Sequence, residues 1–123
     1  MDRMSNDVCR MLKEDLRIDV PSDLGVFAVH FPGNPIFQGI YSLELAVRCV
    51  AKRAGRTVEL IKVSRCKFQR PLLPGMSLEG KVRLLKREGD LQQAKVEFLE
   101  GDSRTIASMD LTVKIVNDTG PQS

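Results

Sequence analysis

Four stretches of alternating apolar and polar residues fill the C-terminal half of the chain: about Thr57 to Phe68, Ser77 to Arg87, Leu91 to Glu100 and Thr105 to Val116. A period of two sends successive side chains to opposite faces, so each run reads as a strand with one buried face. Turn residues separate them: Pro71 to Gly75, then Gly89-Asp90, then Gly101-Asp102. Ahead of the strands lies one long segment of helical period, from about Ile40 to Ala54, with Gly39 before it and Gly55 after it. One helix followed by an antiparallel meander predicts an α+β domain in which the sheet wraps a single central helix.

The 123 residues suffice for one domain with a real core and are too few for two. That core is expected over about residues 13 to 116, with 117 to 123 a loose polar tail. Further toward the N-terminus, residues 4 to 12 suit a short helix. Leu16, Ile18 and Val20 form a period-two stretch that Pro21 closes, and Leu24 to Val29 is a short apolar segment. Hydrophobic residues at 42% and charged ones at 28% fit a soluble globular protein, and no stretch approaches the roughly 20 apolar residues of a bilayer span. Met1 to Arg17 does not resemble a secretory signal, so a cytoplasmic location is expected. Cys9, Cys49 and Cys66 are odd in number and lack Cys-x-x-Cys spacing, which argues against a disulfide framework and a zinc site. They read as reduced and buried or half-buried. The net charge of +3 permits an acidic partner. Nucleic acid is disfavoured, because there is no Trp and the basic residues are spread over several elements.

On the helix, Ile40, Leu43, Val47, Val50, Ala51 and Ala54 fall on one stripe, while Leu45, Ala46 and Cys49 add apolar surface on the other side. Glu44 lies inside the stripe, the only charged residue there. A carboxylate in such a place either finds a partner or takes up a proton; the plainer reading is a partly exposed Glu at the stripe's edge. Fourteen residues earlier stands His30, the sole histidine, heading a loop with Pro32, Gly33, Asn34 and Pro35. A lone loop histidine is commonly just hydrogen-bonded, yet the prolines and glycine fix the chain path directly between it and the helix. Gly39 would let a ligand approach the helix N-terminus, whose free N–H groups can hold a developing oxyanion. Base, oxyanion site and acid would then lie within fifteen residues.

The run His30-Phe31-Pro32-Gly33-Asn34-Pro35-Ile36-Phe37-Gln38-Gly39-Ile40, followed by Leu43-Glu44-Leu45-Ala46, resembles the signature of the 3-hydroxyacyl-[acyl-carrier-protein] dehydratases, whose fold is the hot-dog. Lys67-Phe68-Gln69-Arg70-Pro71-Leu72-Leu73-Pro74-Gly75 resembles a second family segment, Lys-Phe-x-x-Pro-x-x-Pro-Gly. The likeness covers about Leu24 to Val116 and is nearest to the short variants of aryl-polyene and related polyketide-like pathways. The chain departs from the pattern at Val29, where Gly is usual, at Gln38 for Pro, and at Arg48 for Gln. Arg48, one turn beyond Glu44, is placed to pair with it.

The resemblance implies that His30 removes the C2 proton of a 3-hydroxyacyl thioester and Glu44, its pKa raised by desolvation, protonates the departing C3 hydroxyl. The Gly39 N–H would stabilise the oxyanion, with Phe31, Pro35 and Ile40 lining the substrate site. No metal or cofactor is implied beyond the phosphopantetheine of an acyl carrier protein that carries the substrate. Arg65, Lys67 and Arg70 are candidate contacts for that carrier. The resemblance also implies a dimer, of two identical chains or of this chain with a related hot-dog subunit, in which His30 and Glu44 of one site come from opposite protomers. A hot-dog thioesterase and a non-catalytic acyl-binding or partner subunit remain as alternatives.

Overall fold

The computed structural model describes residues 11–13, 15–20, 35–70, 75–101 and 104–116, with side chains left out of the description for 35–41. His30, the Leu24 to Val29 segment, most of the 4 to 12 segment and the 117 to 123 tail lie outside the described residues. In chain order the elements are β1 (Arg17–Asp19), α1 (Pro35–Ala54), β2 (Thr57–Phe68), β3 (Ser77–Glu88), β4 (Leu91–Glu100) and β5 (Arg104–Val116). The four long strands start and end within one residue of the alternation.

The sheet is antiparallel throughout, in the order β1-β3-β4-β5-β2. This corrects the expectation of a plain meander. β3, β4 and β5 do follow one another through tight turns, but β2 does not pair with β3; it lies against β5 at the far edge. The chain between β2 and β3 therefore passes to the other side of the sheet, a connection that a two-residue turn could not make. Two register shifts in β2, between Leu60 and Lys62 and between Val63 and Arg65, mark irregularities of the kind that bend a strand.

α1 starts at Pro35, five residues ahead of the expected Ile40. Proline suits a first helical position, since its φ is already helical and its missing N–H would have no partner there. Gly39 is then an interior residue, tolerated at a cost of about 1 kcal/mol. The other end agrees with expectation. Gly55 has φ 69°, and the N–H groups of Gly55 and Arg56 both return to the Ala51 carbonyl, closing the last turn.

The helix packs on the sheet by a face the apolar stripe did not single out. Ser42, Leu45, Ala46, Cys49 and Val50 are buried, whereas Leu43, Val47, Ala51 and Ala54 are only half-buried. Opposite the buried face stand Leu78, Ala94, Val96, Phe98, Met109, Leu111 and Val113, in one cluster with Ile18 and Val20. Met11 and Leu12 belong to that cluster too, so the core begins slightly before residue 13. Gly80 admits the tightest approach: a Cβ there would stand 3.2 Å from both the Cys49 Sγ and the Leu16 carbonyl oxygen. The Gly80 N–H donates to that same carbonyl.

Candidate active site

Glu44 sits at the middle of α1, on the boundary between the buried face and the half-buried stripe. Its side chain is 31% exposed, and Arg48 Nε donates to its Oε2 at 3.0 Å. The i, i+4 pairing is the one the sequence anticipated. The expected desolvation is not met within one chain, because the stripe that carries Glu44 faces outward and the core is built from its neighbours Leu45 and Ala46. Among the described residues nothing covers the carboxylate further. Leu43, Val47 and Ala51, half-buried on the same side, form an apolar surround for it.

Of the other candidate residues, His30 and Phe31 lie outside the described residues. Pro35, Gly39 and Ile40 are placed on the first turns of α1, on the same element as Glu44. The longer helix alters the oxyanion assignment. In a helix beginning at Pro35, Gly39 stands where its N–H closes on the Pro35 carbonyl, and Ile36 and Phe37 are the residues whose N–H groups the first turn leaves unpaired. The carrier candidates stand apart from Glu44. Arg65 pairs in register with Asp110 and Lys67 with Ser108, alternating with Cys66 and Phe68, which pair with the buried Met109 and Ala107. Arg65 and Lys67 thus lie on the outer face of the sheet, away from the helix. Arg70 follows the end of β2, tied by its N–H to the Ile106 carbonyl.

Neither described cysteine competes for a nucleophile's role. Burial, opposed only by nearby Lys52, pushes the Cys49 thiol up to about 12, so it stays protonated and inert near neutral pH. Cys66 is exposed rather than half-buried as expected, because β2 is an edge strand, and its remaining burial still raises its pKa. Among the described residues no helix is long and apolar enough to cross a membrane.

Residues 9–110 match the family model described as ApeI-like: ApeI dehydratase. The "3-hydroxyacyl-[acyl-carrier-protein] dehydratase FabZ" of Latilactobacillus sakei subsp. sakei is 30% identical, the match covering 80% of this chain and 76% of that protein. The protein of the same name from Campylobacter fetus subsp. fetus is 29% identical over 75% of this chain and 70% of its own length. Among solved structures, "The Dehydratase Heterocomplex ApeI:P from Xenorhabdus doucetiae" superposes with a TM-score of 0.58 at 18% identity, covering 80% of this chain and 83% of that one. The hexameric thioesterase y2039 from Yersinia pestis shares the fold with a TM-score of 0.54 at 16% identity, over 67% and 73% of the two chains. The helix-wrapping sheet described above is the hot-dog fold.

Proposed function

The chain belongs to the ApeI-like dehydratase family, and on that footing we propose that it converts a 3-hydroxyacyl thioester held on an acyl carrier protein to the trans-2-enoyl thioester, in fatty-acid-like or aryl-polyene biosynthesis. The C2–H and C3–O bonds break, a C2=C3 bond forms, and water leaves. His30 takes the C2 proton as base. Glu44 delivers a proton to the C3 hydroxyl. Charge gathering on the thioester oxygen is met by backbone N–H groups at the start of α1, where Ile36 and Phe37 have the free donors and Gly39, lacking a side chain, keeps the approach open. Phe31, Pro35 and Ile40 would line the acyl chain's path.

The observation that carries this reading is the position of Glu44: a carboxylate 31% exposed on a half-buried apolar helix face, which a second surface would cover. A dimer supplies that surface, with β2 as the joining edge, and places the His30 of one protomer beside the Glu44 of the other. The partner would be a second copy of this chain or a related hot-dog subunit. One observation favours a second reading, in which this chain contributes a wall and His30 but not the working acid: Arg48 already occupies Glu44. Incubation with a 3-hydroxyacyl carrier protein, followed by mass spectrometry for the loss of water, tests the proposal. Wild type should show the loss and His30→Ala should not. Equal behaviour of the two would overturn the assignment of His30 as base. Hydrolysis of the thioester in place of dehydration would favour the thioesterase alternative.

A further inference from the structure

The register that β2 keeps with β5 sorts its residues by side of the sheet. Val58, Leu60, Val63, Cys66 and Phe68 stand opposite buried residues of β5, so they belong to the helix side. Glu59, Lys62, Arg65 and Lys67 stand opposite Lys114, Thr112, Asp110 and Ser108 and belong to the outer side. Ile61 and Ser64 are the extra residues at the two register shifts. On the helix side Val63 and Phe68 are 37% and 46% exposed and Cys66 is exposed as well, so the apolar row is unfinished at this edge. On the outer side Glu59 is the only acidic residue of β2. Among the described residues neither Glu59 nor Lys67 forms an ion pair within the chain.

Two antiparallel copies of β2 related by a two-fold axis pair each residue with the one equally far beyond the axis. Helix-side residues have to meet helix-side residues, because a slip of one position turns every side chain over. Registers centred on Lys62, Val63 or Ser64 satisfy this at the strand's flanks. Centring on Lys62 sets two like charges directly opposite each other on the axis. Centring on Ser64 sets Val63 and Cys66, on the helix side, against Arg65 and Lys62, on the outer side. Centring on Val63 meets neither obstacle. Val58 then faces the partner's Phe68, Leu60 faces the partner's Cys66, Val63 faces its own copy, and Glu59 faces the partner's Lys67. Lys62 and Arg65 stand opposite the partner's Ser64 and Ile61, so no like charges are directly opposed.

We infer that β2 joins a second copy of this chain in the register centred on Val63, closed by two symmetric Glu59–Lys67 pairs. The inference rests on the reading proposed above, in which a second chain joins at β2, and it names that chain as an identical one. A strand shaped for a different subunit would carry one member of each pair and leave the other to that subunit. This one carries both, at positions the same two-fold axis exchanges. Lys67 is thereby assigned to the seam instead of to a carrier.

Sedimentation of the full chain over a range of concentrations tests the pairing. Wild type should dimerise. Glu59→Lys and Lys67→Glu should each raise the dimer dissociation constant about tenfold or more, because each sets like charges opposite each other twice across the seam. An equimolar mixture of the two variants should associate nearly as tightly as wild type, since each chain supplies the charge the other lost, and the differences should shrink as salt rises. Crosslinking reads the register separately. With Cys9→Ser and Cys66→Ser in the background, Val63→Cys should form a covalent dimer under mild oxidation faster than Lys62→Cys or Ser64→Cys. Wild-type dissociation constants in both charge variants, a mixture no tighter than its components, or fastest crosslinking at position 62 or 64 would overturn the inference. A wild type that stays monomeric at every concentration would overturn it too, giving the place to a related subunit. A dimer that sediments as expected but leaves a 3-hydroxyacyl thioester unchanged would refute the dehydratase reading alone.

Discussion

The two edges of the sheet are built in opposite ways. β1 is three residues long, and the chain itself covers it: Ile18 is fully buried, Leu12 bridges to it, Met11 packs beside it, and the Gly75 N–H donates to the Val20 carbonyl beyond its end. β2 has twelve residues and among the described residues pairs only with β5, leaving its other edge open, with Ile61, Val63 and Phe68 exposed at 51%, 37% and 46%. An open apolar edge of that length is a hazard for unwanted pairing, which the dimer proposed above would remove. The unfinished side also includes the outward stripe of α1 that carries Glu44. In the proposed dimer, folding and chemistry are thereby divided: the β1 side completes the core within one chain, and the β2 side is where a second chain would complete the site.

The largest effect expected on the β2 side is chemical. Glu44→Gln keeps the shape and removes the proton, so turnover in a dehydration assay should fall by about 10²–10⁴-fold with folding intact. Unchanged turnover would strike Glu44 from the reaction and give the catalytic work to another chain. On the β1 side the largest effect should be on stability. Ile18→Ala empties a fully buried position and should cost about 2–5 kcal/mol in a denaturant melt, whereas Ile61→Ala, half exposed on β2, should cost a separated protomer less than about 0.5 kcal/mol. Similar losses at the two positions in dilute protein would erase the contrast between the edges.

Much of this division was legible in the sequence, and the parts that were not share a cause. Alternation located β2 to β5 almost to the residue because turn glycines bound each run; Gly89, for example, has φ 60° in the turn between β3 and β4. Periodicity along one strand says nothing about its neighbour, so the placement of β2 beside β5 could not be read from it. The same limit applied to α1. Nearly the whole circumference of Leu43 to Val50 is apolar, and which arc meets the sheet is settled by Gly80 and Cys49 fitting against each other. Glu44 and Arg48 were legible as a pair because four residues along a helix is a local relation, and local relations survive without knowledge of the fold.

A change on β2 itself tests the open edge more directly. Val63→Asp puts a charge on the face that pairs with Leu111, at the joining strand, and should raise the dimer dissociation constant at least tenfold by analytical ultracentrifugation, about 1.4 kcal/mol. Activity should be lost in parallel and return as the protein is concentrated. Activity that ignores dissociation would mean one chain completes its own site.

The smallest expected effect is the most discriminating. The Arg48–Glu44 pair joins two groups that are each 31% exposed in the single chain, and an i, i+4 ion pair with that much solvent contributes roughly 0.3–0.5 kcal/mol, screened further by salt. Arg48→Gln should therefore shift the melting temperature of dilute, dissociated protein by less than about 2 °C. Assembly changes the arithmetic. A second chain closing on the stripe takes both charges out of water, and removing Arg48 then either strands a buried carboxylate, a loss of about 3–5 kcal/mol, or leaves Glu44 protonated, the form the proposed reaction needs. Comparing the variant's effect at low and high protein concentration thus measures how completely the partner covers Glu44. An effect that stays small at every concentration, with the pH dependence of turnover also unchanged by the substitution, would mean the helix stripe remains wet, and the closed site proposed for the β2 side would have to be abandoned.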